Sequence, residues 1–424
     1  MEKAFFDIFR RLEPLNPGHP GRKPALGGKK GRFSALLLMA PLAALFMFYS
    51  CSGTGNGGSD ALTLAALSKG GSNPPPSAEW SAVTQAINDN ASKFSGGLAV
   101  EIATTGGVVY SYTAGGFANT DRVMIASASK WVTATVILRL VDQGVLDLDW
   151  KMSDYLKDRN GNPWTGNMGN IKLRNLLSFT SGISGDDVNT TSSTSSEAYN
   201  ITLAEAVYRI YDDQHASASA PGSYFYYGNT HMRIAARLAE VRTGLSWEQI
   251  FEQQLRDPLG WSTSSYYMDY AKNPNPAGGL KATGLEYMRF MMLQLRMGLD
   301  GTTRLLPESL ITEQRTDQFL PTTSIAYSPY VALAGLQYHY GLGNWRECST
   351  PDDPSACDAA LRVSSTGTYG WAPWIDVQEN YAGIIMTKQP LQGTIEPSED
   401  LKNELAGLIP GILALSPPVI RDVP

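Results

Sequence analysis

In the stretch "MIASASKWVTATVILRL", residues 124–140, Ser127 stands three positions ahead of Lys130. On a helix, positions i and i+3 share a face, with Cβ atoms roughly 5–6 Å apart. A serine hydroxyl and a lysine amine at that spacing can act as nucleophile and base in acyl transfer. The lysine sits among Trp131, Val132, Ala134, Val136, Ile137 and Leu138, and burial there disfavours its charged form. A neutral amine can take the serine proton, and a charged one still eases its loss. The start of the helix adds positive potential that favours a developing alkoxide. The same pair also suits a plainer role, an N-cap serine followed by a lysine whose stem snorkels to solvent.

Two other stretches carry comparable chemistry. "APGSYFYYGNTHMRIAARLAEVRTG" holds Tyr227-Gly228-Asn229 in a Gly/aromatic loop ahead of a helix. A tyrosine relays protons if an ammonium holds its phenolate, and an asparagine amide can grip a substrate amide. By itself this loop could equally be aromatic packing on a core. "RVSSTGTYGWAPWID" reads as a β run. In it Ser365, Thr366 and Gly367 let a substrate approach the backbone, and Thr368 offers its N–H as an oxyanion donor. The alternative is an ordinary strand containing a glycine.

The elements that must hold these residues are readable from periodicity and turn chemistry. "EWSAVTQAINDNASKF" is an amphipathic helix, and "GGLAVEIAT" and "GVVYSYTAG" form a hairpin turning at Thr105-Gly106. The Ser127 helix follows and stops at Gly144. Signals over 170–298 are mostly helical: "NIKLRNLLSFTSG" as one segment, "THMRIAARLAEVRTG" closing at Gly244, and two helices with capping boxes, Ser246/Gln249 and Thr283/Glu286. Strand chemistry returns with "LRVSSTG", "PWIDVQ" and "YAGIIMTKQ", and "SEDLKNELAGLIPGILAL" is a last helix. This order predicts an α+β fold: an antiparallel β-sheet with strands from both chain ends, flanked by helices, with an inserted all-helical subdomain over about 150–300.

Taken together, these motifs resemble the serine β-lactamase and penicillin-binding-protein superfamily, in its class C-like branch. That branch includes family VIII esterases, D-aminopeptidases, D-alanyl-D-alanine carboxypeptidases and 6-aminohexanoate-dimer hydrolases. The similarity spans about 96–387, and the wording around the motifs matches in order: "IASASKWVTATVILRLVDQGVLDLD", "IKLRNLLSFTSGIS", "PGSYFYYGNT", "TGLSWEQIFEQQLRDPLGW" and "AGGLKATGLEYMRFMMLQL". The resemblance implies a β-lactamase/transpeptidase-like fold, no cofactor and no metal. It makes Ser127 the acylated nucleophile, with Lys130 assisting its deprotonation. Tyr227 would share the base role and protonate the leaving group, and Asn229 would orient the substrate. The N–H groups of Ser127 and Thr368 would form the oxyanion hole. The departure is the third motif, Ser365-Thr366-Gly367, where the lactamases have Lys-Thr-Gly. Without that lysine a neutral ester or amide fits better than a penicillin or a D-Ala-D-Ala end, unless Arg362 or Lys388 supplies charge. Pro373-Trp374 and a Trp345 loop are expected as apolar walls. Loops 185–200 and 318–358 would set specificity. A non-catalytic, membrane-tethered peptidoglycan-binding protein is the reading from a different class.

Of the 424 residues, 43% are hydrophobic and 17% charged, an ordinary composition for a soluble body. The net charge of −6 conceals a leader, 1–32, with eight Lys/Arg against three Asp/Glu. The acidic remainder argues against nucleic acid as partner. Residues 33–50, "FSALLLMAPLAALFMFYS", are uncharged and follow that basic flank, which predicts a signal peptide or an uncleaved membrane anchor. Cys51 resembles a lipoprotein lipidation site, although Phe48 fits such a signal poorly. A Gly/Ser/Pro-rich linker covers 51–78, and the hydrolase-like domain is expected over 79–416. Export would suit a local disulfide between Cys348 and Cys357 in "CSTPDDPSAC". Four histidines without H-E-x-x-H make a metal hydrolase a poor fit. The expected partners are a small-molecule or peptide-like substrate and, through the N-terminal segment, a membrane.

Overall fold

The computed structural model describes residues 78–185, 196, 198, 200–266, 272–348, 357, 362–388 and 395–415. The leader, the 33–50 segment, Cys51 and most of the 185–200 loop lie outside the described residues. Among those described, no helix is long and apolar enough to cross a membrane.

The chain runs through helix α1 (Ser81–Asn90), strands β1 (Leu98–Thr104) and β2 (Gly107–Ala114), a short β3 (Val123–Met124) and helix α2 (Ser129–Asp142). A helical stretch follows: α3 (Gly166–Asn170), α4 (Leu173–Leu177), α5 (Leu203–Gln214), β4 (Tyr224–Tyr226), α6 (Thr230–Thr243), α7 (Trp247–Phe251), β5 (Lys281–Ala282) and α8 (Gly284–Leu295). Next come β6 (Leu299–Asp300), β7 (Thr303–Arg304), α9 (Glu308–Arg315), β8 (Ser324–Tyr327), α10 (Pro329–Ala334), β9 (His339–Tyr340) and β10 (Trp345–Glu347). The last elements are β11 (Arg362–Ser364), β12 (Ala372–Asp376), β13 (Tyr381–Thr387) and α11 (Ile395–Leu415).

Seven strands form one antiparallel sheet in the order β2-β1-β13-β12-β11-β10-β9. The hairpin turn falls at Thr105-Gly106, and β1 pairs with β13 in register Leu98↔Thr387 to Thr104↔Tyr381. Strand alternation sorts side chains between two cores. Leu98, Val100, Ile102, Trp374, Tyr381 and Ile385 pack under α1 and α11. Ala99, Ala103, Ile375, Ala382, Ile384 and Met386 face α2 and the helical layer. This is the α+β architecture expected, with two details added. The helical layer carries short pairings of its own, β4 parallel to β8 and β3 antiparallel to β5.

Local sequence explains most helix ends, and two expectations are corrected. "NIKLRNLLSFTSG" does not form one segment: α4 ends at Leu177, and Phe179 takes φ 56°, which no helix continues. Thr283 caps α8 by accepting from the Glu286 N–H, but Glu286 does not close the box. Its carboxylate instead accepts from the Ser262 and Thr263 amides and the Thr263 and Ser264 hydroxyls. The Ser246/Gln249 box is complete.

Candidate active site

The Ser127 environment is built from the backbone outward. The Ile125 N–H donates to the Leu280 carbonyl (3.1 Å), tying this segment to β5. Ala126 then takes φ 48°, a left-handed conformation that a residue with a Cβ rarely adopts. From there a 3₁₀ turn, Ala126–Ala128, runs into α2. Its carbonyls are held from several sides: Ser129 Oγ donates to Ala126 O (2.6 Å), Tyr287 Oη to Ala128 O (2.9 Å) and Ser365 Oγ to Ser127 O (3.1 Å). The Ser127 N–H belongs to the first helical turn, where amides have no intrahelical acceptor.

Lys130 is buried, at 1% exposure, and its ammonium nitrogen does not snorkel. Nζ donates to Ser127 Oγ (3.0 Å) and to Ala277 O (2.9 Å) and lies 4.7 Å from the Tyr227 ring centroid. The N-cap-and-snorkel alternative does not describe this residue.

Tyr227 leaves β4 and packs in an aromatic nest: stacked on Trp345 (4.9 Å between centroids), beside Phe179 (5.1 Å) and Tyr340 (6.0 Å). Burial pushes its hydroxyl well above the usual tyrosine range, against the opposing effect of its hydrogen bond with Ser127. Tyr227 therefore rests as a phenol, the form that has a proton to give to a leaving group.

Asn229 is half-buried at the N-cap position of α6, and its N–H donates to Gly185 O (2.6 Å). Gly185 and Gly228 are mutually required. A Cβ on Gly228 would stand 2.1 Å from Gly185 O, and one on Gly185 would meet Gly228 Cα at 2.7 Å. The "GISG" end of the preceding segment thus docks on the Tyr-x-Asn loop, a role for Gly185 that sequence reading missed.

The third motif lies just past the end of β11 rather than within a strand. Its Gly367 sits against the nucleophile loop so closely that a Cβ would lie 2.1 Å from Ile125 O. Ser365 and Thr366 are buried and their hydroxyls are engaged by protein, Ser365 on Ser127 O and Thr366 on Glu399 Oε1. Thr368 follows in a half-buried turn. Of the two cations proposed to replace the missing lysine, Arg362 is ion-paired to Glu347 (2.8 Å) and Lys388 to Asp121 (3.6 Å).

Two predicted walls are relocated. Trp374 packs on the far face of the sheet, its ring lying across Gly383. Trp345 is a β10 strand residue that backs Tyr227. Cys348 and Cys357 are joined by a disulfide. Among the described residues no group of His, Cys, Asp and Glu could hold a metal.

His231 was not singled out by sequence. It is fully buried on α6, one turn beyond Tyr227, with its ring edge-on to Phe179 at 5.0 Å. Both ring nitrogens lack a partner among the described residues. Burial, with the Lys130 charge adding to it, pushes its pKa down to about 3.

Comparison with known proteins decides the family. The model of the β-lactamase family matches residues 87–406. The chain belongs to the β-lactamase family. One curated relative, named as the penicillin-binding protein PbpX of Bacillus subtilis (strain 168), is 29% identical over 160 residues, 38% of this chain and 37% of that protein. The β-lactamase-family chain spans between about a third and a half of the length of the curated relatives it matches. A solved structure from Bacteroides dorei DSM 17855, named as a β-lactamase, superposes with a TM-score of 0.65 at 28% identity, covering 77% of this chain and 98% of that one. EstCE1, a hydrolase with promiscuous acyltransferase activity, shares the fold at 16% identity and a TM-score of 0.62, over 78% and 100% of the two chains.

Proposed function

We propose that this β-lactamase-family chain is an exported serine hydrolase that cleaves an ester or amide bond through an acyl-enzyme on Ser127. The observation that carries the reading is the 3.0 Å hydrogen bond between Lys130 Nζ and Ser127 Oγ, with the Tyr227 ring centroid 4.7 Å from the same Nζ. The Ser127 proton passes to Lys130 in molecules where that amine is uncharged, while Oγ attacks the carbonyl carbon. The resulting oxyanion is held by the Ser127 and Thr368 N–H groups, where losing one donor typically costs roughly 2.7–4 kcal/mol. Tyr227, resting as a phenol, gives its proton to the departing alcohol or amine. The phenolate left beside the Lys130 ammonium then takes a proton from water, whose oxygen attacks the acyl carbon, and as the acyl–Oγ bond breaks Lys130 returns its proton to Ser127 Oγ.

Residues 33–50 are read as the export signal or anchor, with Cys51 a lipidation candidate. The Cys348–Cys357 bond supports an oxidising compartment. A second reading, a D-amino-acid peptidase or β-lactam-reactive protein, is favoured by the relative named as a penicillin-binding protein. The test is intact-mass spectrometry of the full chain after incubation with a fluorophosphonate probe, beside Ser127→Ala. One adduct on the wild type, absent from the variant, supports the hydrolase. No adduct on folded protein returns the weight to a non-catalytic, peptidoglycan-binding role.

A further inference from the structure

Behind the third motif runs a buried chain of alternating charge. Glu399, on α11, accepts hydrogen bonds at Oε1 from Thr366 Oγ1 and Tyr330 Oη (3.0 Å). Its Oε2 lies 2.7 Å from Lys402 Nζ. Lys402 is wholly buried and also contacts Glu347, which in turn pairs with Arg362 at 2.8 Å. Burial opposes the charge on Glu347, but Lys402 and Arg362 hold its carboxyl down at about 2. Two carboxylates and two cations sum to zero, yet they are ordered. The carboxylate of Glu399 stands next to Thr366, and both cations lie behind it.

We infer that Glu399 is a specificity-determining residue that turns the Thr366 side of the cleft toward substrates bearing a hydrogen-bond donor or positive charge, and away from carboxylates. The inference rests on the hydrolase reading above. Thr366 has a single hydroxyl proton, and it is committed to Glu399, so this side chain offers a ligand only an oxygen lone pair. A substrate carboxylate placed there would meet that lone pair and, one hydrogen bond further, a carboxylate whose side chain is only 14% exposed and so weakly screened. Ser365 cannot compensate, because its hydroxyl donates to Ser127 O. An N–H or ammonium on the substrate meets complementary charge instead.

The test compares three activated p-nitrophenyl esters on the full chain: neutral butyrate, the anionic hemiglutarate and a cationic 4-aminobutyrate. Each is measured with wild type, Glu399→Gln and Glu399→Asp, with unfolding midpoints recorded. The wild type is expected to favour the neutral and cationic esters over the anionic one by tenfold or more in kcat/KM. Glu399→Gln should shrink that ratio at least fivefold, and Glu399→Asp, which keeps the charge, should preserve it. A wild type with no such preference among the three esters overturns the inference without any variant. A folded Glu399→Gln whose ratio equals that of the wild type overturns it as well. Failure of the wild type to hydrolyse any of the three, together with no fluorophosphonate adduct, overturns the hydrolase reading and this inference with it.

Discussion

The Ser365 hydroxyl donates to the carbonyl oxygen of Ser127 at 3.1 Å, joining residues 238 positions apart. The bond fixes the peptide plane that follows the nucleophile. Ser365→Ala should therefore lower kcat five- to tenfold, as expected for one net hydrogen bond of about 1 kcal/mol. Steady-state kinetics beside a melting curve check this. Lost stability with unchanged kcat would assign the bond a purely structural role.

Lys130→Ala should abolish turnover, a loss of at least a hundredfold given typical general-base contributions of roughly 10²–10⁴, while circular dichroism stays native. Tyr227→Phe keeps the aromatic nest but removes the phenol proton. It should slow amides more than esters with good leaving groups, since only the former need protonation on departure. Equal losses on both would remove Tyr227 from the leaving-group step.

Gly367→Ala and Gly228→Ala each drive a methyl group to 2.1 Å from a backbone oxygen, Ile125 O and Gly185 O respectively. Neither oxygen can move without moving the Ser127 loop or the Tyr-x-Asn loop. Both variants should lose more than tenfold in fluorophosphonate labelling rate. Wild-type labelling by either would show that the loops give way freely.

His231 makes an acid-sensitivity prediction. Its folded pKa of about 3 lies below the unfolded value of 6.5. The unfolded chain therefore binds a proton that the folded chain refuses. Stability is complete above pH 6.5 and falls as pH drops from there toward 3. Between pH 6.5 and 5 the loss is about 2 kcal/mol at 1.36 kcal/mol per unit. Urea unfolding of wild type and His231→Leu over that range checks it, the variant showing the flatter profile. The Glu347 contribution enters only lower, as pH falls through 4.5 toward about 2.

Cys348 and Cys357 are nine positions apart, and closing so short a loop is worth roughly 2–3 kcal/mol in the chain-entropy view. The double Cys→Ser variant should melt correspondingly lower, and wild type should match it only under reductant.

Much of this was legible in the sequence because it depends on local rules. The hairpin at Thr105-Gly106, the stop at Gly244 and the Ser246/Gln249 box each follow from a few neighbouring residues. The fold class followed from element order. Ser127 and Lys130 were legible because a helix fixes i and i+3. What escaped was decided by contacts distant in sequence. Phe179 is held in a left-handed conformation that no local pattern announces. Trp374 reads as an apolar wall in sequence, but its parity in β12 sends it to the far face. Glu399 and Lys402 read as ordinary polar positions of an amphipathic helix, and only the approach of α11 to Thr366 and Glu347 gives them partners. His231 carried no signal at all, since a lone histidine in a helix says nothing of its burial.

The strand order has a consequence for how the chain comes into being. β1 is made long before its neighbour on one side, β13, residues 381–387. Until that strand emerges, the Leu98, Val100 and Ile102 face has neither its sheet partner nor the α11 lid. The sheet cannot close until residues 381–387 have been made. Premature termination upstream of residue 381 would release a hairpin with an open, sticky edge, and so an aggregating fragment rather than a smaller working domain.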